Sequence, residues 1–422
     1  MMFTFCFLLA VALHLAVSWW LNMRQRWYVL AHRGEVPRQF SGQVSQAAHE
    51  KAADYTVARL RFSRQASLYG TALLLGWTLG GGLDALDRLL GQPGWPVPVS
   101  GAVFIIGFAL TAAVLEIPFA CYRTFVIERR FGFNRSTPRL FATDQLKQAL
   151  LMIVIGGPLA MLMLWLMVAT GERWWLYAWL AWMGFSLLMM WAWPTLIAPL
   201  FNTFRPLPDG EMKSRIEALL ARCGFCSRGL FVMDGSRRSS HGNAYFTGLG
   251  RARRIVFFDT LLGQLDTDEV EAVLAHELGH FRRRHVQKRL LVMAAFSLAG
   301  FALLGFLSGQ PWFFTQLGVS HPSGHAALVL FVLVAPAFTF WLTPLSSLYS
   351  RRHEFEADDY AVKYSDGAAL VSALVKMYAD NASTLTPDPL YSAVYDSHPP
   401  APIRIAHIEG VMAGKEMKHA AA

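Results

Sequence analysis

Residues 276–280 read His276-Glu277-Leu278-Gly279-His280. On a helix four residues make about one turn, so both imidazoles leave one face and can share a single metal ion. Glu277 lies beside that face, where it can take a proton from a water at the ion without binding the ion itself. A hydrolytic zinc site needs a third protein ligand and one position left to water. His285 is one candidate, and the run His353-Glu354-Phe355-Glu356-Ala357-Asp358-Asp359 holds the others. Helical spacing sorts that run. Glu354, Ala357, Asp358, Ala361 and Ser365 share one face, while Arg352, Glu356, Asp359 and Lys363 share the other. The first face combines small residues with two carboxylates and admits a close neighbour; the second is a solvated charge face. Glu354 is therefore the expected third ligand beside His276 and His280. Asp358, one turn on, is expected to accept a hydrogen bond from the other ring nitrogen of a ligand histidine. Glu356 and Asp359 are expected to be bystanders, so that Glu356→Ala leaves zinc binding unchanged.

The chain that must hold these residues is in large part a lipid-facing one. Of its 422 residues 54% are hydrophobic and 16% charged, against roughly 25% charged in an average soluble domain. Disorder and a collagen-like fibre are excluded, and four cysteines cannot build a disulfide scaffold. The net charge of +9 does not point to nucleic acid, because most Lys and Arg fall between hydrophobic runs and no recognition motif accompanies them.

Apolar runs of membrane-crossing length lie at 3–22, 66–86, 102–122, 149–169, 174–200, 289–308 and 325–347. The first is followed by Arg24 and Arg26 and reads as a retained anchor with its N-terminus outside. Arg33, Arg38, Lys51, Arg59, Arg61 and Arg64 add to the charge after the first span. Arg123, Arg129, Arg130, Arg135, Arg139 and Lys147 follow the third. The stretches after the second and fourth carry only Arg88 and Arg173, and 309–324 carries none. Seven spans with alternate loops inside obey the positive-inside rule throughout, which puts the catalytic residues on the cytoplasmic side. The expected division is 1–201 with five spans, 202–288 as a soluble unit, 289–347 with two more spans, and 348–422 as a second cytoplasmic segment.

Within 202–288, residues 211–222 carry helical periodicity, and Leu230–Met233, Ala244–Thr247 and Arg254–Phe258 read as short strands. Asp266, three residues before Glu269, then caps a helix expected to run to about residue 285, with Thr267 a nearly equal candidate for the cap. The proline-bearing stretch 380–402 reads as loop. Cys223 and Cys226 have redox spacing but no thioredoxin-like setting, and count as incidental thiols. Glu116, near the inner end of the third span, either lines a hydrated cavity or caps a helix. His321 and His325 fall in or beside an outside loop and are expected to be solvated.

Further segments accompany the metal motif. They are Glu128-Arg129-Arg130-Phe131-Gly132-Phe133-Asn134, Pro199-Leu200-Phe201-Asn202, Met233-Asp234-Gly235-Ser236-Arg237-Arg238-Ser239-Ser240-His241, Asn243-Ala244-Tyr245-Phe246, Ser350-Arg351-Arg352-His353-Glu354, and Ser397-His398-Pro399-Pro400 followed by Arg404. In this order along seven spans they resemble the type I CAAX prenyl proteases, integral-membrane zinc metallopeptidases. The resemblance implies a mainly α fold: seven transmembrane helices enclosing a hydrated chamber, with a small α+β metallopeptidase unit on the cytoplasmic side. It implies one Zn2+ on His276, His280 and Glu354, in agreement with the helical-face reading. It also implies that His398 and Arg404 border the reacting carbonyl, and that the Asn243, Ala244, Tyr245, Phe246 strand pairs with the substrate. Spacing alone does not single out His398.

The activity so implied is metalloendopeptidase cleavage of a peptide or protein substrate, lipidated or membrane-associated, in contact with the lipid bilayer and without nucleic acid. The resembled family removes C-terminal tripeptides from prenylated proteins in eukaryotes. No feature of this sequence marks prenylated partners, and the expected setting is a bacterial inner membrane, with quality-control cleavage, or the endoplasmic reticulum in a eukaryote. A transporter or channel with a structural metal site is the alternative reading, and the water-activating Glu277 argues against it.

Overall fold

A computed structural model describes the chain except residues 92–93, 226, 228, 248–253 and 421–422, so Cys226 lies outside the described residues. The first half is helical: α1 (Met2–Ala31), α2 (Gln46–Trp77), α3 (Gly82–Leu90), α4 (Val97–Tyr122), α5 (Pro138–Leu151), α6 (Gly157–Ala169), α7 (Trp174–Ala192) and α8 (Ala198–Phe201). π-helical stretches at Arg123–Glu128, Met152–Gly156 and Trp193–Ile197 extend or join these helices. Strand β1 (Phe204–Pro206), helix α9 (Glu211–Arg222), strands β2 (Leu230–Met233), β3 (Ala244–Thr247) and β4 (Arg254–Phe258), and helices α10 (Asp259–Leu262) and α11 (Thr267–Arg282) follow. Helices α12 (His285–Ser308), α13 (Pro311–Thr315) and α14 (Gly324–Thr339) return to the apolar region, and α15 (Thr343–Tyr364), α16 (Gly367–Asp380), α17 (Pro389–Tyr395) and α18 (Ala401–Ala420) complete the chain.

Among the described residues six helices are long and apolar enough to cross a membrane: Met2–Ala31, Val97–Glu128, Pro138–Ala169, Gly171–Phe201, His285–Ser308 and Gly324–Tyr364. The remaining expected run, 66–86, is divided between α2 and α3. Gly80-Gly81-Gly82 interrupts it, and Gly81 takes a left-handed φ of 73° that a side chain would resist. The short α3 is tied to the loop before α14. Asp84 accepts the Ser320 N–H at 3.0 Å, and His325 meets Asp87 at 3.0 Å while its ring packs on Phe104. His325 is therefore held by a partner and not solvated as expected.

Phe7, Phe104, Leu166, Trp174, Leu304, Phe314 and Leu330 join in one apolar cluster near the ends of the spans remote from residues 202–288. Along the spans large side chains such as Phe5, Trp165, Leu188, Trp191 and Phe306 stay exposed.

The four strands order as β1-β2-β4-β3, with β2 and β4 parallel and both outer pairs antiparallel. Ile216 and Leu219 of α9, Leu230, Ile255 and Phe257 of the sheet, Leu274 and Leu278 of α11, Ala361 of α15, Leu370 of α16 and Ile408 of α18 form one core. Residues 202–288 and the chain after 348 thus fold around common apolar side chains, although two membrane helices separate them in sequence. The stretch 380–402 is not wholly loop. Pro389 opens α17, which Asp388 caps through the Leu390 and Tyr391 N–H groups.

Two local devices place α11. Asp266 and Glu269 make the expected reciprocal cap, each carboxylate accepting the other's backbone N–H at 3.0 and 2.9 Å. Gly279 then lets α11 touch α15 backbone to backbone. A Cβ at that position would stand 2.9 Å from Ala357 Cα and 3.1 Å from its carbonyl oxygen. Gly279→Ala is therefore expected to lower stability by about 1–3 kcal/mol through overpacking. Denaturant unfolding of the purified protein measures this, with Gly410→Ala, which meets nothing within 4 Å, as the control expected to be neutral or better.

Candidate metal centre

The α11–α15 crossing sets the geometry. His276 Nε2 and His280 Nε2 stand 3.3 Å apart. One Glu354 oxygen lies 3.4 Å from the first and the other 3.5 Å from the second. Ligands at 2.0–2.1 Å on a tetrahedral zinc are separated by about 3.3–3.4 Å, so the three side chains match that spacing. Their chemistry fits as well. Glu354 is 1% exposed, and its Oε2 is a buried acceptor without a hydrogen-bond partner. Leaving such an atom unmatched is costly unless a cation answers it.

The ring nitrogens agree with this reading. His276 Nδ1 is 2.8 Å from Asp358 Oδ1, and an ionised carboxylate only accepts, so Nδ1 carries a proton and Nε2 is the atom turned to Glu354, where a metal ion would take the place of a second proton. Asp358 is fully buried and takes a two-pronged contact from Arg404, whose Nε donates to Oδ2 at 2.9 Å and whose Nη2 donates to Oδ1. Burial and the charge of Arg404 oppose protonation of His276, but Asp358 and Glu354 outweigh them and raise its pKa to about 9. Burial, with His276 adjoining, lowers that of His280 to about 3. The pocket draws in one positive charge and resists a second, which suits these donors to a cation. Burial also raises the pKa of Glu277, with the Glu354 charge adding to the rise and His276 opposing it.

His398 sits in the loop between α17 and α18, its Nε2 3.5 Å from Glu354 Oε1 and its side chain 63% exposed, so it is reachable from outside the cluster. Arg351, two residues before His353, fixes that loop by donating to the Ser392, Ala393 and Asp396 carbonyls at 2.9, 3.1 and 3.1 Å. A cavity of about 630 Å³ opens beside His398 and is also lined by Arg59, Arg123, Tyr378, Tyr391 and Asp396. Arg404 does not face this opening. It is 6% exposed and stands behind Asp358, 3.9 Å from Glu354.

The Asn243–Phe246 segment forms the end strand of the sheet. Asn243 accepts the Phe258 N–H at 3.0 Å, and β3 pairs with β4 alone among the described residues.

The charge face of α15 makes contacts of its own, outside the three donors. Glu356 Oε2 lies 3.1 Å from His285 Nε2, and His285 Nδ1 lies 2.9 Å from His280 Nδ1. Asp359 meets His407 of α18 at 2.8 Å. His285 therefore contacts His280 from the side away from Glu354 instead of joining the three donors. The expected helix to about residue 285 ends at Arg282, and Arg284 takes a left-handed φ of 57° before α12 begins. No glycine or proline at 283–284 signals this break.

The other segments singled out by sequence meet at one joint between the membrane helices and the sheet. The Tyr55 hydroxyl donates to Glu128 at 2.8 Å, and Phe133 stacks on His241. Arg238 donates to Asp144 at 2.8 and 2.9 Å and to Asn202 at 2.8 Å, while Asp234 accepts the Thr203 N–H at 2.7 Å.

Comparison with known proteins agrees with this arrangement. Residues 25–203 match the family described as CAAX prenyl protease N-terminal, five membrane helices, and residues 206–412 match peptidase family M48. A CAAX prenyl protease 1 homolog of Arabidopsis thaliana is 34% identical over 392 residues, covering 89% of this chain and 90% of that one. CAAX prenyl protease 1 of Saccharomyces cerevisiae is 32% identical, covering 93% and 92%. The crystal structure of S. mikatae Ste24p superposes with a TM-score of 0.90 at 29% identity, over 96% of this chain and 98% of that one. A buried His-His-Glu donor set, a multi-pass apolar scaffold and these matches over nearly the whole length have one meaning: the chain belongs to the M48 CAAX prenyl protease family and is an integral-membrane zinc metalloprotease.

Proposed function

We propose that the protein cleaves an extended peptide segment near its carboxyl end, at a single zinc ion held by His276, His280 and Glu354. The site is assigned to the cytoplasmic side, inside a hydrated chamber ringed by seven helices. The observation that carries this reading is the buried Glu354 carboxylate, one oxygen turned to His276 Nε2 and the other to His280 Nε2, with Glu277 beside them and His398 at the cavity wall. Zinc, when bound, supplies a Lewis acid that makes water a nucleophile near neutral pH and polarises a carbonyl.

The rest is the work of the protein's own side chains. Glu277 takes the proton of the attacking water on its carboxylate and passes it to the leaving amine nitrogen. His398 donates to the substrate carbonyl oxygen as negative charge develops there. Arg404 acts one step removed, by balancing the charge of Asp358, which orients His276. The free edge of β3 offers main-chain donors and acceptors from Asn243 to Phe246, which suits an extended peptide regardless of its side chains.

Two features support the chamber and its substrate. Glu116 on α4 is exposed and forms no ion pair among the described residues. A carboxylate turned to hydrocarbon is expensive, so water inside the ring is the natural environment for that face. Then α2 with α3 supplies the seventh crossing, and the Arg and Lys bias of the loops supplies the orientation. Arg59 and Arg123 line the cavity beside His398 without an ion-pair partner among the described residues, Arg59 lying 5.4 Å from the Tyr55 ring centre. Two unpaired guanidinium groups there fit a free C-terminal carboxylate. The relatives named CAAX prenyl protease make a prenylated C-terminal segment the substrate class to try first.

Glu277→Gln is expected to keep zinc, measured by elemental analysis, while cleavage of a reporter peptide falls by about 10²-fold or more. Glu354→Ala is expected to lose zinc on dialysis that leaves the wild type loaded. Zinc-loaded wild type that cleaves no peptide would favour a structural metal site. A peptide with a free C-terminal carboxylate is expected to be cleaved with a higher kcat/KM than its C-terminal amide. That preference should shrink in Arg59→Gln with Arg123→Gln, and equal rates for acid and amide in the wild type would remove the arginines from substrate recognition.

A further inference from the structure

We infer that Glu356 and His285, with His353 stacked on His285, form a positioning relay that fixes which nitrogen of His280 carries its proton. The inference rests on the reading of His280 as a metal ligand. For a neutral His285 the order of the contacts leaves one consistent assignment. Glu356 is a carboxylate and can only accept, so at 3.1 Å His285 Nε2 must be the protonated nitrogen. A neutral His285 then presents a lone pair at Nδ1, 2.9 Å from His280 Nδ1. His280 must donate there, which leaves its Nε2 bare and pointed at the Glu354 carboxylate, 3.5 Å away. His276 reaches the same state through one direct bond to Asp358. The two imidazoles are thus set by two carboxylates, one in contact and one acting through an intervening ring.

The fold is shaped to make this contact. In an unbroken helix a residue five positions on points about 140° away from the first, which would turn His285 away from His280. The stop after Arg282 and the left-handed Arg284 swing it back. A residue with a Cβ resists that conformation, and it persists where the surroundings impose it. His353 lies flat on His285, ring centres 3.9 Å apart and planes 11° from parallel, and Tyr349 abuts His353 edge-on, so one face of the relay ring is packed. His285 is 1% exposed, whereas Glu356 keeps 27% of its side chain exposed and also meets Lys288 at 3.8 Å and Arg352 at 3.5 Å. Position 356 can therefore be changed without leaving an unanswered charge in the core.

The test uses the full-length purified protein and reads zinc affinity by chelator competition. Glu356→Ala is expected to weaken zinc binding about 10- to 100-fold, the range for groups that orient metal ligands. Glu356→Gln, which keeps an acceptor oxygen, should recover most of that loss. His285→Asn places an acceptor where Nδ1 stood and severs the link to Glu356. In that background Glu356→Ala should cost nothing further. The visible absorption of the cobalt-substituted protein should change in Glu356→Ala and return toward wild type in Glu356→Gln, with the unfolding midpoint of the metal-free protein unmoved. Wild-type zinc affinity in Glu356→Ala overturns the relay. So do effects of His285→Asn and Glu356→Ala that multiply, or a loss of affinity matched by loss of metal-free stability. If Glu354→Ala also retains zinc, the ligand assignment fails first; if only Glu356→Ala retains it, the relay alone fails.

Discussion

The backbone contact between Gly279 of α11 and Ala357 of α15 governs the catalytic half of the molecule. A glutamate can reach the Nε2 atoms of two histidines on another helix only if the two helices nearly touch, and at this crossing the space for a Cβ is already taken. The sequence provides for it from both sides, with a glycine inside the metal motif and Ala357 between the two carboxylates that matter. Close approach has a second effect. It buries Glu354 and Asp358 almost completely, in surroundings where electrostatic interactions are strong and unanswered charge is costly. Asp358 is answered by Arg404 and His276. Glu354 is left with an oxygen that makes no hydrogen bond among the described residues.

That crossing is suspended from the membrane part. Helix α11 turns directly into α12, a span, through the left-handed Arg284, and α15 is the far end of the apolar rod Gly324–Tyr364. Both helices that carry the donor set are therefore continuous, or nearly so, with neighbouring spans. A shift of α12 against α14 would be felt at the ligands before it was felt in the sheet. The joint built from Glu128, Phe133, Asn202 and Arg238 bears on the opposite side of the same unit, so the sheet is braced against the earlier helices. The apolar cluster at the remote ends of the spans holds the helices together far from the chemistry. The membrane region thus holds the catalytic unit from two sides and keeps most of its own packing away from it.

What the sequence could tell follows from which signals are local. That His276, His280, Glu354 and Asp358 could come together was legible because a helix repeats every 3.6 residues and two of its faces can be written down without knowing the fold. The Asp266–Glu269 cap was legible for the same reason. The contact of His285 with His280 and Glu356 left no sign in the sequence because the break after Arg282 carries no glycine or proline. It is imposed by packing, and a residue placed by packing leaves no periodic trace. Asp359 and His325 were read as solvated because their partners, His407 and Asp87, are distant in sequence. The run 66–86 has the composition of a span, and only the three glycines at 80–82 announce the turn that divides it. His398 had no local signal at all; the family resemblance pointed to it, and Arg351, which shapes its loop, is marked only by lying beside the ligand run.

The two metal-facing histidines sit in unlike surroundings. His276 is locked by a buried carboxylate that Arg404 neutralises, a rigid arrangement with no route to solvent. His280 is governed through His285 by Glu356, which still touches water. The first arm is stiff, and the second ends in a carboxylate within reach of water. The stiff arm lies on the Arg404 side, while His398 and the cavity open from the Glu354 oxygen that faces His280.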